Sequence, residues 1–492
     1  MKRKCLPMFV LGFSLAAAGQ SAPVCPSAET SAALERLNGL MMLHNPAYEY
    51  DRQLADEIGP RLTGSANYVK ATEWAEKEFT RLGLKNVHKE SWTIPATWEP
   101  EVYATARVLA PHEQRLHLES EGWSPSTPED GVKGTVFYLS SIASEEAVKA
   151  QAEKIKGAIV LVDGATFDSA KDAPFAVLMD RLNLVASLGA VAQIDGMGYT
   201  QDVPSMLGAG DGGYLWKLPV ANMGKEDTLL LRRWLEKGPV TLEFSFRNRI
   251  REKVAVDNVV GEIPGTDLKD ETVLIGGHLD SWNPGTGAED NGTGAATVVG
   301  VAQAVMALGR PPRRTLRFVV FGGEEEGLLG SHAYAKAHEG EMARMDAVLI
   351  TDTGSEAPKG WLTMGREDEG TALAGLKPML EGLGAGGVSE EGRFAFSTDH
   401  ADFMARGVPV LVLWTDLTKY FELHHKPSDT FDKVDRRDLA LGSTTVAVTA
   451  YALADAAGEF AAHQTREQVE EQMKKIKQFD EYKEMRDRGM LF

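Results

Sequence analysis

Residues 271–294, ETVLIGGHLDSWNPGTGAEDNGTG, join an apolar run, a histidine and an aspartate at its end, and a glycine-rich loop that opens a helix. A continuous apolar run of this length, closed by glycine or acid, is what a strand buried on both faces of a parallel sheet looks like. The same pattern recurs in TLRFVVFGGEEEG (315–327), MDAVLITDTG (345–354) and VPVLVLWTD (408–416). Helical patterning lies between or after these runs, over 294–308, 331–338, 370–383, 401–406 and 439–457. Strand and helix in alternation predict an α/β class with a sheet flanked by helices.

Upstream the texture differs. GTVFYLS (134–140), GAIVLVDG (157–164) and GAVAQIDG (189–196) read as short strands closed by glycine, with helical stretches at 145–156 and 176–188. PVTLEFSFR (239–247) reads as a longer strand. Residues 131–250 therefore form a β-rich module of roughly 120 residues, large enough for a domain of its own. It is inserted into an α/β domain made of 23–130 and 251–460. Within the first of those segments, residues 29–86 are helical and VHKESWTI (87–94) and VYATARVLA (102–110) are two strands. At the far end, Val469, Met473, Ile476, Phe479 and Tyr482 fall on one stripe, so 461–492 reads as a C-terminal amphipathic helix docked on the core.

The bulk properties narrow the class. With 492 residues and 43% hydrophobic residues the chain can build more than one core, and a net charge of −19 disfavours nucleic acid or an anionic membrane as partner. Lys2, Arg3 and Lys4, the apolar stretch 8–18 and the small residues after it predict a signal peptide over 1–22, cleaved between Ala18 and Ala22. No later segment reads as a membrane span. The expected location is the periplasm or the extracellular space. Of the two cysteines, Cys5 leaves with the leader, so Cys25 has no internal disulfide partner.

Potential metal ligands stand at the ends of the apolar strands: His278 and Asp280, then Glu324 and Glu325, then Asp352. The fourth strand leads to His424 and His425, and Asp290 sits in the loop GTGAEDNGTG. Sites of open α/β sheets form beyond the carboxyl ends of the strands, and so many acids on one edge repel one another unless a cation lies among them. Imidazoles mixed with carboxylates suit zinc better than calcium or magnesium. The sequence has no HExxH; the donor count suits two ions sharing one carboxylate, about 3.5–4 Å apart. The tandem Glu324-Glu325 can supply one base and one ligand. Taken singly, an acid after a strand is more often a helix cap or loop residue; the ordered set makes the case.

HLDSWNPGTGAEDNGTG, EEEGLLGS, ITDTG and HHKPSDT, together with DEIGPRLTGS (56–65) and DNVVGEIPG (257–265), resemble the ordered motifs of M28 metallopeptidases, in their carboxypeptidase-Q-like branch. The resemblance implies a zinc-exopeptidase-like mixed sheet flanked by helices, with the inserted module as a protease-associated (PA) domain over the cleft. It also implies two Zn2+ per chain, with His278 and Asp352 on different ions, Asp290 bridging, and Glu325 and His425 completing the two sites. Glu324 then matches the general base and Asp280 the acid that orients His278. The third acid, Glu326, leaves a register ambiguity that the following Gly-Leu-x-Gly-Ser resolves toward Glu324-Glu325. Counting back from Asp429 favours His425 over His424. Asp399, His400 and Tyr420 are open between a place in the cleft and a packing role.

The expected activity is hydrolysis of dipeptides or short peptides next to a free terminus, with small peptides as the partners; a homodimer is compatible with the sequence. Two rivals keep the fold and change the function. A receptor or binding protein would have lost ligands or base, and this chain retains all of them. A glutaminyl-cyclase-like acyltransferase uses one zinc, and the inserted module with the HLDSW and HHKPSDT motifs favours hydrolysis instead.

Overall fold

The computed structural model describes residues 22–44, 46–196 and 215–491. Residues 1–21 of the expected leader lie outside them. Helix α1 (Ala66–Leu82) starts where the Ser65 side chain accepts the Tyr68 N–H and stops at Gly83 in the left-handed region. Its Ala71, Ala75 and Phe79 are buried against the sheet. There follows strand β1 (Lys85–Ala110), which pairs antiparallel along almost its whole length with β2 (Thr241–Ile263). The two strands expected at 87–94 and 102–110 are thus one. Pro95 and Pro100 do not break it, because over this stretch β1 is an edge strand and its outward face needs no ladder donor.

The central sheet is mixed. Strands β3 (Leu268–His278), β4 (Arg314–Phe321), β5 (Met345–Ile350) and β6 (Val410–Thr415) run parallel in the spatial order β6-β5-β3-β4. β2 closes that group antiparallel to β4, and residues Pro358–Leu362 pair antiparallel to β6 on the other side. Helix α2 (Thr293–Leu308) follows the glycine-rich loop and is buried on nearly every side, with α3 (Arg436–Asp455) packed beside it. Among the described residues, 288–308 is by length and composition apolar enough to cross a membrane, but 83% of its most apolar window is buried inside the protein, as for a core helix. Residues 370–383, expected as one helix, are three short pieces ending in Lys377–Gly382. Pro378 near the start of the last piece cannot donate to the preceding turn.

The inserted module is a second sheet that continues from the first. Its strands Val132–Tyr138, Ile159–Asp163, Ala192–Gly196, Val220–Met223 and Leu118–Ser120 follow in that order, and Val132–Tyr138 pairs with β2. Strand β2 belongs to both sheets. The lobe also begins earlier than residue 131. In the ribbon Ile250 faces Trp98, so a boundary near 250 on one strand places its counterpart near 98 on the other. Consistent with this, Ala106, Val108, Leu116 and Leu118 share a core with Val136, Leu161 and Ile194. Finally, the C-terminal segment is two helices, α4 (Arg466–Lys475) and α5 (Phe479–Asp487), separated at Lys477, whose φ is +62°.

Candidate metal centre

Because β3, β4 and β5 are parallel, their carboxyl ends lie side by side, and the residues just beyond them converge. His278, the last residue of β3, is 1% exposed. Its Nδ1 lies 3.1 Å from the Asp280 carbonyl oxygen and 3.5 Å from the Asp280 carboxylate. With Nδ1–H donated to these oxygens, Nε2 is the nitrogen that faces the site. Nε2 lies 3.3 Å from Asp290 Oδ1, 3.3 Å from Asp352 Oδ1 and 3.9 Å from Glu324 Oε2.

Asp290 stands in the middle. Its second oxygen, Oδ2, is 3.4 Å from Nε2 of His424 and 3.4 Å from Nε2 of His425. His425 Nε2 is also 2.9 Å from Glu325 Oε2. Three donor triads result, His278/Glu324/Asp352, His278/Asp290/Glu325 and Asp290/His424/His425, each with its ligand atoms within 4.8 Å of one another.

The chemistry of this donor set fits a transition-metal cation. Glu325 Oε1 is buried with no hydrogen-bond partner, and imidazole nitrogen is interleaved with carboxylate oxygen, the mixture zinc accepts. The electrostatics agree. Burial pushes the Glu324 and Glu325 carboxyls well above the usual range, with Asp352 and Asp290 respectively adding to the shift and His278 opposing it. Burial alone would disfavour the His278 imidazolium, but Asp352 and Glu324 outweigh it and hold its pKa well above that of an ordinary histidine. Burial and then His425 hold His424 down at about 3, leaving its imidazole neutral.

The other candidates separate clearly. Glu326 is buried beside Asp280, away from the cavity that the cluster lines. Tyr420 does line that cavity, and its hydroxyl donates to Asp352 Oδ1 at 3.3 Å. Asp399 and His400 are fully buried and do not reach the cavity; burial raises the first to about 7 and lowers the second to about 3. His332 and His338 are engaged elsewhere, with Asp402 and with Glu90 and Glu341. Trp282 packs on His425 and on Trp98 and Trp123 of the lobe.

Sequence reasoning left out the residues that hold the ligand loops. The fully buried Arg61 donates from Nε to Leu279 O at 2.6 Å, from Nη1 to Thr286 O at 2.7 Å and from Nη2 to Gly287 O at 2.7 Å. Two residues on, Thr63 Oγ1 accepts the Gly323 N–H at 2.7 Å, directly before Glu324. Asp429 accepts the N–H groups of Glu289 and Asp290 at 2.7 and 3.0 Å. Asn291 donates to Thr351 O at 2.9 Å and accepts from Gly294 N at 2.9 Å, tying the loop to the strand that carries Asp352. The one sequence signal for Arg61 and Thr63 was the motif DEIGPRLTGS itself.

A fold that aligns mixed imidazole and carboxylate donors beyond parallel strands, with a buried carboxyl beside them, defines a metal-dependent hydrolase. The sequence profile of Peptidase family M28 matches residues 258–450, a span that holds every donor named above. Carboxypeptidase Q of Rattus norvegicus is 30% identical over 416 residues, covering 84% of this chain and 86% of that protein. The chain belongs to peptidase family M28, and it is a metallopeptidase. Among solved structures, a peptidase M28 precursor from Shewanella amazonensis SB2B superposes with a TM-score of 0.78 at 28% identity, over 89% of this chain and 99% of that one. The zinc aminopeptidase BSAP of Bacillus subtilis shares the fold, with a TM-score of 0.64 at 21% identity over 85% of this chain and 97% of its own.

Proposed function

We propose that this chain is an exported two-zinc exopeptidase that cleaves short peptides next to a free α-amine. The observation that carries the two-ion reading is Asp290, with one carboxylate oxygen toward His278 and the other toward His425. In this reading His278 and Asp352 would hold one ion together, not different ions as the resemblance implied, because His278 Nε2 and Asp352 Oδ1 lie 3.3 Å apart. Glu325 and His425 would hold the other, and Asp290 would serve both. Bound ions supply polarisation of the scissile carbonyl and acidification of the attacking water. Glu324 accepts the water's proton as its oxygen bonds to the carbonyl carbon, and returns that proton to the leaving nitrogen as the C–N bond breaks. Asp280 keeps His278 in the tautomer that presents Nε2.

The free amine is supported by the lining of the cavity: among the described residues lining it there is no arginine or lysine to anchor an α-carboxylate. Residues 197–214, outside the described part, contain none either. We read the lobe as a PA-like cover that restricts access to small substrates; the metal-loop residue Trp282 packed within the lobe's aromatic core supports this. The basic and apolar residues at 2–18 support export.

The test is one dipeptide in three forms: free, amino-acetylated and carboxy-amidated. The free and amidated forms are expected to turn over and the acetylated form to resist; equal turnover of all three rules out amine recognition. Glu324→Gln should lower kcat by about 10³-fold or more while two zinc ions per chain persist. Loss of activity without loss of metal in Glu325→Gln, with Glu324→Gln active, would shift the assignment by one residue.

A further inference from the structure

We infer that helix α5 and the residues just after it complete the substrate side-chain pocket of this site, and that the pocket selects a large apolar side chain. This rests on the exopeptidase reading above and adds the specificity that reading lacks.

The cavity beside the ligand cluster measures about 430 Å³, within the roughly 300–1,000 Å³ of small-molecule sites. Metal donors line one side of it. The other is lined by Leu362, Phe394, Phe396 and Val412 of the α/β domain together with Met485 and Met490 from the chain's end. That wall is apolar. Two thioether side chains at its outer part give a surface able to close on side chains of differing shape.

The tail is held where it can do this. Val469, Met473, Tyr482 and Met485 belong to the same buried core as Leu328, Leu362 and Val412. Tyr482 stacks on Phe396, ring centroids 6.4 Å apart and planes within 22°. Gln472 donates to the Met364 carbonyl at 2.7 Å. Arg488, the residue after α5, donates to Asp180 of the lobe at 2.9 Å, so the tail also touches the lobe. The stretch matched by the family profile ends at residue 450, so Met485 and Met490 are supplied to this wall by a part of the chain beyond it.

Two acids, Glu481 and Glu484, also reach the cavity. Glu484 is 2.7 Å from Arg488 Nε, which offsets its charge. The pocket is therefore assigned to an apolar side chain, and a basic one becomes the alternative that the test resolves.

The experiment compares kcat/KM for Phe-Gly, Leu-Gly, Ala-Gly and Lys-Gly on the zinc-loaded protein. The expected result is a preference for Phe or Leu over Ala on the order of tenfold to a hundredfold, reduced at least several-fold by Met485→Ala and by Met490→Ala. Met485 is buried and its loss can loosen α5; the half-buried Met490 is the second, milder probe. Lys483→Ala, on the solvent face of the same helix, should leave both rates unchanged. Equal rates for Phe and Ala, or a Phe/Ala ratio that neither methionine variant moves, overturn the assignment, and a preference for Lys overturns it in favour of Glu481 and Glu484. No turnover of any dipeptide overturns the exopeptidase reading and this inference with it.

Discussion

Arg61 shows how a residue far from the chemistry sets its geometry. A buried guanidinium that gives three short bonds to carbonyls of residues 279–287 freezes the loop between His278 and Asp290, and charge-assisted bonds are the stronger kind. Asp51 is fully buried nearby; burial pushes its carboxyl well above the usual range, and the Arg61 guanidinium opposes that shift. Arg61→Met should therefore weaken zinc binding roughly 10–100-fold, as loss of outer partners does at metal sites, with Arg61→Lys recovering only part because one ammonium cannot serve three carbonyls in a fork. Titration against a competing chelator measures this; wild-type affinity in Arg61→Met would remove the bracing role. Thr63→Val leaves the buried Gly323 N–H without its acceptor and should cost about 1–3 kcal/mol in a chemical denaturation series.

At the scale of elements, the centre depends on how closely α2 approaches the end of β3. A Cβ on Gly277 would stand 2.9 Å from Thr351 O and 3.2 Å from the Gly294 carbonyl carbon. One on Gly294 would stand 2.3 Å from Thr351 O and 2.2 Å from Asn291 Oδ1. The obstacle at Thr351 is backbone and cannot swing aside. Gly294→Ala should push the helix off the strand, costing roughly 1–3 kcal/mol, and should also disturb Asn291 and the adjoining Asp290. Calorimetry with metal analysis distinguishes the two effects; a variant with unchanged Tm and full metal content would show that the contact relaxes freely.

For the molecule as a whole, β1 and β2 run through both sheets, and Trp98, Trp123 and Trp282 form one cluster across the junction. Lobe and α/β domain should melt in a single transition, because neither can lose its strands alone. The convergence of Asp290, Glu324, Glu325 and Asp352 is repulsive without a cation, and a ligand present at a hundred times its Kd stabilises by about 2.7 kcal/mol. Chelation should thus lower the Tm by several degrees, and zinc should restore it. Two separated calorimetric peaks would refute the coupling, and an unchanged Tm after exhaustive chelation would refute the metal's structural contribution.

The parallel strands and the donors at their ends were legible in the sequence because each depends on neighbours along the chain. An apolar run ends and a residue at or just past its end reaches the sheet edge: His278 closes β3, Glu324 follows the two glycines after β4, and Asp352 stands two residues past β5. The break at Lys477 was not legible, since the stripe of apolar residues runs on across it and a left-handed residue other than glycine leaves no periodic trace. Nor was the core that Ala106, Val108, Leu116 and Leu118 share with Val136, Leu161 and Ile194, which brings together residues distant along the chain. Both His424 and His425 stand beside Asp290, and only the fold adds the contact of His425 with Glu325. Arg61 reaches carbonyls 218 to 226 residues further along the chain, and the pocket wall is brought from the far C-terminus. Donor identity is a local property of side chains and short spacings. Which loops are braced and what encloses the cavity depend on contacts between distant segments, which exist only once the sheet has brought them together.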